Sequence, residues 1–152
     1  MLFRSIGALR SDGAGFLINV ASNAAYQPTP NMAVYGAAKA FVLSFTEALW
    51  YESGGTGLRV LALSPGATST EFFEVVGTDA ADGGTARQTP AQVVDTAFRV
   101  LDRKNPPPSV ISGRRNQMMA LGGRLLSRRR LVSVLGRMTG QAQQPESPVP
   151  PT

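Results

Sequence analysis

Two short apolar runs separated by one long helical pattern constrain this chain more than any other feature in it. Phe16-Leu17-Ile18-Asn19-Val20-Ala21 follows the turn Ser11-Asp12-Gly13, and Leu58 to Leu63 leads into Ser64-Pro65-Gly66. Runs this apolar and this short, closed by turn residues, read as strands of a parallel sheet buried on both faces. Between them, Met32 or Ala33 to Glu52 carries Phe41, Val42, Phe45, Ala48 and Leu49 at helical spacing and stops at Gly54-Gly55. A third, shorter run, Ser109-Val110-Ile111, follows Pro106-Pro107-Pro108. The fold class is therefore α/β, with about three parallel strands and helices flanking them.

The remaining segments fit around that unit. Residues 1–11 read as the end of a helix, and 23–31, with Tyr26, Pro28 and Pro30, as a loop. Thr70 to Val76 reads as a short helix over the ligand side, and 77–88 as a loop rich in Gly, Ala and Asp. Thr89-Pro90-Ala91-Gln92 is a helix start, with Thr as cap, Pro at the first position and Gln at the third. Val93, Val94, Ala97, Phe98 and Leu101 give that helix its apolar face. Residues 115–139 read as basic amphipathic helix interrupted near Gly122-Gly123, and 141–152, rich in Pro and Gln, as disordered. The predicted organisation is an α/β part over 1–113, a basic amphipathic helical tail over 114–140, and a disordered end.

Charge divides the chain in the same place. Residues 1–113 hold eight Lys/Arg against nine Asp/Glu, whereas 114–152 hold seven Arg against one Glu, so the net +5 belongs to the tail. Arg114, Arg115, Arg124, Arg128, Arg129, Arg130 and Arg137 alternate with Leu125, Leu131, Val132, Val134, Leu135 and Met138. A solvated helix face is the commonest meaning of such a run. Basic residues opposite leucines also suit weak contact with an anionic membrane surface. Nucleic acid is disfavoured, because the stretch has no aromatic residue for stacking. The chain has no Cys and no His, which argues against disulfides, thiolate chemistry and a zinc or haem site. No apolar run approaches the ~20 residues that span a bilayer, and no signal peptide is read at the N-terminus. The expected location is cytoplasmic, with the tail allowing peripheral membrane contact.

The chemistry-bearing residues cluster around the strand–helix–strand unit. Tyr35 and Lys39 lie four residues apart in Tyr-Gly-Ala-Ala-Lys, on one face of the long helix. Ser22 directly follows the first strand, thirteen residues before the tyrosine. A free phenol titrates near ~10, and a cation held beside it favours the phenolate. A serine hydroxyl beside that pair can hold a carbonyl oxygen while the tyrosine exchanges a proton with it. Tyr-x-x-x-Lys alone also describes ordinary surface pairs. Its setting, with Ser22 and Pro65-Gly66 at the carboxyl ends of successive strands, is where open α/β sheets place ligands.

In order and spacing, Ile18-Asn19-Val20-Ala21-Ser22, Pro30-Asn31-Met32-Ala33-Val34-Tyr35-Gly36-Ala37-Ala38-Lys39 and Leu63-Ser64-Pro65-Gly66-Ala67-Thr68-Ser69-Thr70 resemble successive signatures of the short-chain dehydrogenases/reductases. The continuation Thr70-Glu71-Phe72-Phe73 resembles a bacterial branch of that family. The resemblance covers about residues 13–113 and extends more loosely to the Arg-rich end. It implies a Rossmann-like sheet and NAD(P)-dependent interconversion of a small-molecule alcohol and carbonyl. Ser22 would then bind the carbonyl oxygen, Tyr35 would be the acid/base, and Lys39 would hold the nicotinamide ribose. Pro65 and Gly66 would form a wall beside the nicotinamide, with Thr68 and Thr70 reaching its carboxamide and the phosphate. Tyr26 stands in the loop where substrate contacts fall, and a packed loop aromatic is an equal reading. The resemblance also implies a homo-oligomer through the 33–52 helix; Trp50 and Tyr51 on it read as packing residues.

One departure from the family pattern is large. No Gly-x-x-x-Gly-x-Gly or Gly-x-Gly-x-x-Gly follows any strand, and Gly13-Ala14-Gly15 precedes its strand, so it is a turn and not a phosphate cradle. The Asn-Ala-Gly stretch of the family and the asparagine of its proton relay have no counterpart, and Asn19 sits inside a strand. The expectation is the C-terminal half of a dehydrogenase, a partial Rossmann-like sheet inactive by itself, with the choice of NAD or NADP unreadable. The alternatives are a non-catalytic remnant or dimerisation module, and a peripheral membrane protein acting through its tail.

Overall fold

The computed structural model describes residues 2–11, 13, 15–70, 87–123 and 125–140. The readings of a helix over 70–76 and a loop over 77–88 fall mostly on residues outside this set, as does the disordered end. Helix α1 (Leu2–Ser11) leads to strand β1 (Gly15–Val20), and α2 (Ala33–Glu52) leads to β2 (Leu58–Ser64). Helix α3 (Pro90–Leu101), strand β3 (Ser109–Ile111) and helices α4 (Arg114–Gly123) and α5 (Arg128–Gly140) follow. The three strands form one parallel sheet in the order β1-β2-β3. Register runs from Gly15 opposite Leu58 to Val20 opposite Leu63, then from Ala62 opposite Ser109 to Ser64 opposite Ile111.

Central position explains the composition of β2. With a neighbour on each side and helices on both faces, all of its residues except Arg59 are buried. Its alternation sends Leu58 and Val60 to a cluster with Ile6 and Leu9 of α1 and Phe45 and Leu49 of α2. Ala62 packs against Ala21 and Leu43 on the same side. Leu61 and Leu63 point the other way, into Val93, Ala97, Val100 and Leu101 of α3. The sheet is thus a middle layer, with α1 and α2 on one face and α3 on the other.

Polar anchors fix α2 along its length. Asn19 on β1 donates to Thr46 Oγ1 at 3.0 Å, and Ser109 on β3 donates to Glu47 at 2.7 Å. Trp50 Nε1 donates to the carbonyl of Pro106, so it ties the helix to the segment entering β3. Asn19 is accordingly a packing residue of the sheet–helix joint. Tyr51, read as packing, is exposed on this chain, as is Phe41, whose ring stacks on Phe45 at 5.7 Å between centroids.

Three differences from the sequence reading have local causes. The 23–31 loop contains a 3₁₀ turn over Asn23–Tyr26, because Ser22 caps it by accepting from the Ala24 amide. Helix α3 starts with the expected capping box, but Val100 is buried while Val94 and Phe98 are exposed. Its apolar stripe is wider than the sheet surface it meets. The basic stretch breaks after Gly123, near the expected interruption, but Leu131 of α5 is buried against the end of α4 near Gly123, so part of the tail's apolar side is used inside the fold.

Candidate active site

Backbone geometry brings the chemistry to one edge of the sheet. Ser22 lies just beyond β1, and Pro65-Gly66 just beyond β2. The two exits are held together by the Ala21 amide donating to Leu63 and the Asn23 amide donating to the Pro65 carbonyl, both at 2.8 Å. Ser22 is buried, and its hydroxyl accepts from Ala24 and donates to Asn23 Oδ1 at 3.3 Å. Lys39 reaches from α2 to the same place, with Nζ 3.0 Å from the Val20 carbonyl at the end of β1. One turn earlier, Tyr35 sits with its ring centroid 5.8 Å from that ammonium. Ser22, Tyr35 and Lys39 therefore converge on the carboxyl end of β1, with the Pro65 turn alongside.

The entry to α2 is set by a close approach. Thr29 lies directly over Gly36, where any Cβ would collide with its Oγ1. Thr29 Oγ1 also donates to the Met32 carbonyl at 3.3 Å. Glycine after Tyr35 thus lets the 27–32 segment press on the first turn of the helix and hold the tyrosine's position. Tyr26 packs against the cluster of Ala21, Leu43 and Ala62.

Beyond β2, Thr68 Oγ1 donates to the Gly66 carbonyl, and Thr68 forms a parallel bridge with Gln88. Thr70 Oγ1 lies 3.5 Å from the Thr68 carbonyl. Two residues that the sequence reading passed over support this turn. Asn116, buried at the start of α4, donates to the Ser112 carbonyl at 2.7 Å, and its amide occupies the space a Cβ on Gly66 would need. Gln88 Oε1 is buried without a partner among the described residues, close to where a Cβ on Gly113 would stand. Nothing local in the sequence marks either residue, because each acts on a turn far away along the chain.

The donor set fits the nicotinamide–ribose end of a dinucleotide: an ammonium, a phenol and a hydroxyl at a strand end, beside a Pro-Gly turn. The residues present include no glycine-rich strand–turn–helix for a pyrophosphate.

Comparison with known proteins places the chain. A family model described as short chain dehydrogenase matches residues 4–81. The chain belongs to the short-chain dehydrogenase family. It is 36% identical over 106 residues to a 7beta-hydroxysteroid dehydrogenase of Collinsella aerofaciens, covering 68% of this chain and 39% of that protein. It is 44% identical over 89 residues to sulfoacetaldehyde reductase 2 of Chromohalobacter salexigens, covering 56% of this chain and 35% of the relative. Among solved structures, a short chain dehydrogenase from Burkholderia cenocepacia in complex with NADP superposes with a TM-score of 0.67 at 28% identity, over 85% of this chain and 51% of that one. A structure from work on 7beta-hydroxysteroid dehydrogenase stereoselectivity gives a TM-score of 0.74 at 27% identity, over 89% of this chain and 52% of that one. The chain spans less than two fifths of these two curated relatives and about half of these two solved chains.

Proposed function

We propose that this chain carries the proton-transfer and nicotinamide-facing part of an oxidoreductase that interconverts an alcohol and a carbonyl with NAD or NADP. The observation that carries the reading is the convergence of Ser22, Tyr35 and Lys39 at the end of β1. Ser22 gives up its weak 3.3 Å bond to Asn23 and donates to the substrate's carbonyl oxygen. Tyr35 delivers the proton to that oxygen in reduction and removes it in oxidation. Lys39 holds a positive charge beside the phenol and binds the nicotinamide ribose. Pro65 and Gly66 wall the nicotinamide, and Thr68 and Thr70 bind its carboxamide and the adjoining phosphate. Tyr26 contacts substrate from the 3₁₀ turn. The bound cofactor supplies the hydride chemistry. Exposed Phe41, stacked on Phe45, supports α2 as the surface for a second copy of the chain.

The test is turnover of an active form of the protein, including one joined to an upstream cofactor-binding half. Tyr35→Phe should lower turnover by roughly 10²–10⁴-fold, the usual worth of a general acid–base. Equal turnover with cofactor binding retained would end the assignment.

A second reading concerns the tail and rests on a separate observation. Leu121, Leu125 and Leu126, at the corner between α4 and α5, are exposed, Leu125 to 88%. Arg129 and Arg130 follow them, also exposed. Among the described residues no helix is long and apolar enough to cross a membrane. An exposed apolar corner flanked by arginines suits weak, reversible contact with an anionic lipid surface. Sedimentation with anionic vesicles should capture the chain, and capture should fall as salt rises. Equal capture by neutral vesicles, or none by either, would count against it.

A further inference from the structure

A cleft lies on the side of α2 away from Tyr35. It has a volume of about 520 Å³, within the ~300–1,000 Å³ that small-molecule sites occupy. Its floor is the small-residue side of α2, where Ala33, Ala37 and Ala40 leave room beside the helix. One wall is the 25–30 segment, and the other is α5, through Arg128 and Val132. Ala33 and Ala37 stand two residues before and after Tyr35, which puts them on the opposite side of the helix from it. Neither Ser22, Tyr35 nor Lys39 lines the cleft.

The chemistry of the lining is one-sided. Among the described residues, Arg128 is its one charged residue, and no carboxylate lines it. Among the described residues, the Arg128 guanidinium has no carboxylate partner, whereas Arg10 and Arg99 each have one. The walls are otherwise largely carbon, from alanines, prolines and valine. They are also held in place: Leu131 buries the neighbouring turn of α5, and Gly136 lies against Pro30. Apolar walls take up a hydrocarbon body, and a guanidinium fork binds a carboxylate through two parallel hydrogen bonds.

We propose that this cleft binds a small amphipathic monocarboxylate, its hydrocarbon body against α2 and the 25–30 segment and its carboxylate on Arg128. The proposal does not depend on the oxidoreductase reading, because Ser22, Tyr35 and Lys39 take no part in it and Tyr26 alone is common to the cleft wall and that site. Calorimetric titration of the chain with octanoate, 1-octanol and octyltrimethylammonium, all below their aggregation limits, tests it. Octanoate should bind saturably at one site, and octyltrimethylammonium should not. R128Q should weaken octanoate about tenfold while leaving octanol unchanged. R129Q, on the same helix but outside the cleft, should leave octanoate unchanged. Ala37→Leu should fill the cleft and abolish binding of both octanoate and octanol. Arg128 is exposed, so R128Q reads the site even where the leucine variant fails to fold. Absence of saturable octanoate binding, equal binding of the cationic probe, or equal effects of R128Q and R129Q would overturn the proposal.

Discussion

Strand β1 meets different surroundings on its two faces. Toward α1 and α2, Leu17 packs into the cluster of Ile6, Phe45, Leu49, Leu58 and Val60. Toward α3, Ile18 touches the core, but Phe16 and Val20 remain 56% and 53% exposed. The difference follows from where the helices sit. Helices α1 and α2 lie over β1 and β2 together, while α3 packs on the Leu61 and Leu63 side of β2 and reaches β1 only at Ile18. Strand β1 is also an edge of the sheet, paired with β2 alone among the described residues. A strand as apolar as Phe16–Ala21 is thus built for burial on both faces and obtains it on one. The candidate site draws on the better-packed elements, with Lys39 of α2 reaching the end of β1 and Asn116 of α4 filling the space beside Gly66.

The largest test of that asymmetry is cofactor affinity. On the proposed reading Lys39 and the Pro65-Gly66 turn would contact the nicotinamide end, but these residues supply no backbone cradle for the pyrophosphate. Calorimetric titration of the isolated chain with NADPH and with NADH should give no dissociation constant in the low micromolar range. Such a constant for either would mean that the contacts present suffice to bind the cofactor without a pyrophosphate cradle.

Next in size is the covered face. Leu61 is fully buried between β2 and α3, beside Val93, Ala97 and Leu101. Leu61→Ala should cost about 2–5 kcal/mol, through lost burial and the cavity left behind. Urea unfolding followed by circular dichroism measures it. A loss under about 1 kcal/mol would show that the α3 face is loosely packed and that the two faces differ less than their burial indicates.

The sequence conveyed most of this architecture because its signals are local. Two apolar runs and the helical spacing between them define the strands and α2, and Thr89 to Gln92 defines the start of α3. The placement of Ser22 at a strand end and of Tyr35 and Lys39 on one helix was legible for the same reason, since both follow from position along the chain. What was not legible depends on contacts far apart along the chain. Asn116 matters because it fills the space beside Gly66, fifty residues away. Which apolar residues of α3 are buried depends on the width of a three-stranded sheet. That Leu131 belongs to the fold rather than to a free amphipathic surface depends on α5 folding back toward Gly123.

The smallest effect on stability, and the most direct probe of the open face, is expected at Phe16. Its side chain is more than half exposed, so Phe16→Ser removes little buried area from the folded chain and should change unfolding free energy by no more than about 0.5 kcal/mol. Its effect on association should be larger. An exposed aromatic beside a strand edge that has no partner among the described residues favours contact between molecules. Sedimentation velocity over a range of concentrations should show the wild-type chain associating and the Phe16→Ser chain, or Phe16→Ser with Val20→Thr, associating less. If the substitution instead costs about 2 kcal/mol or more with association unchanged, Phe16 is packed in solution by something this chain supplies itself. The two faces of β1 would then be equally covered.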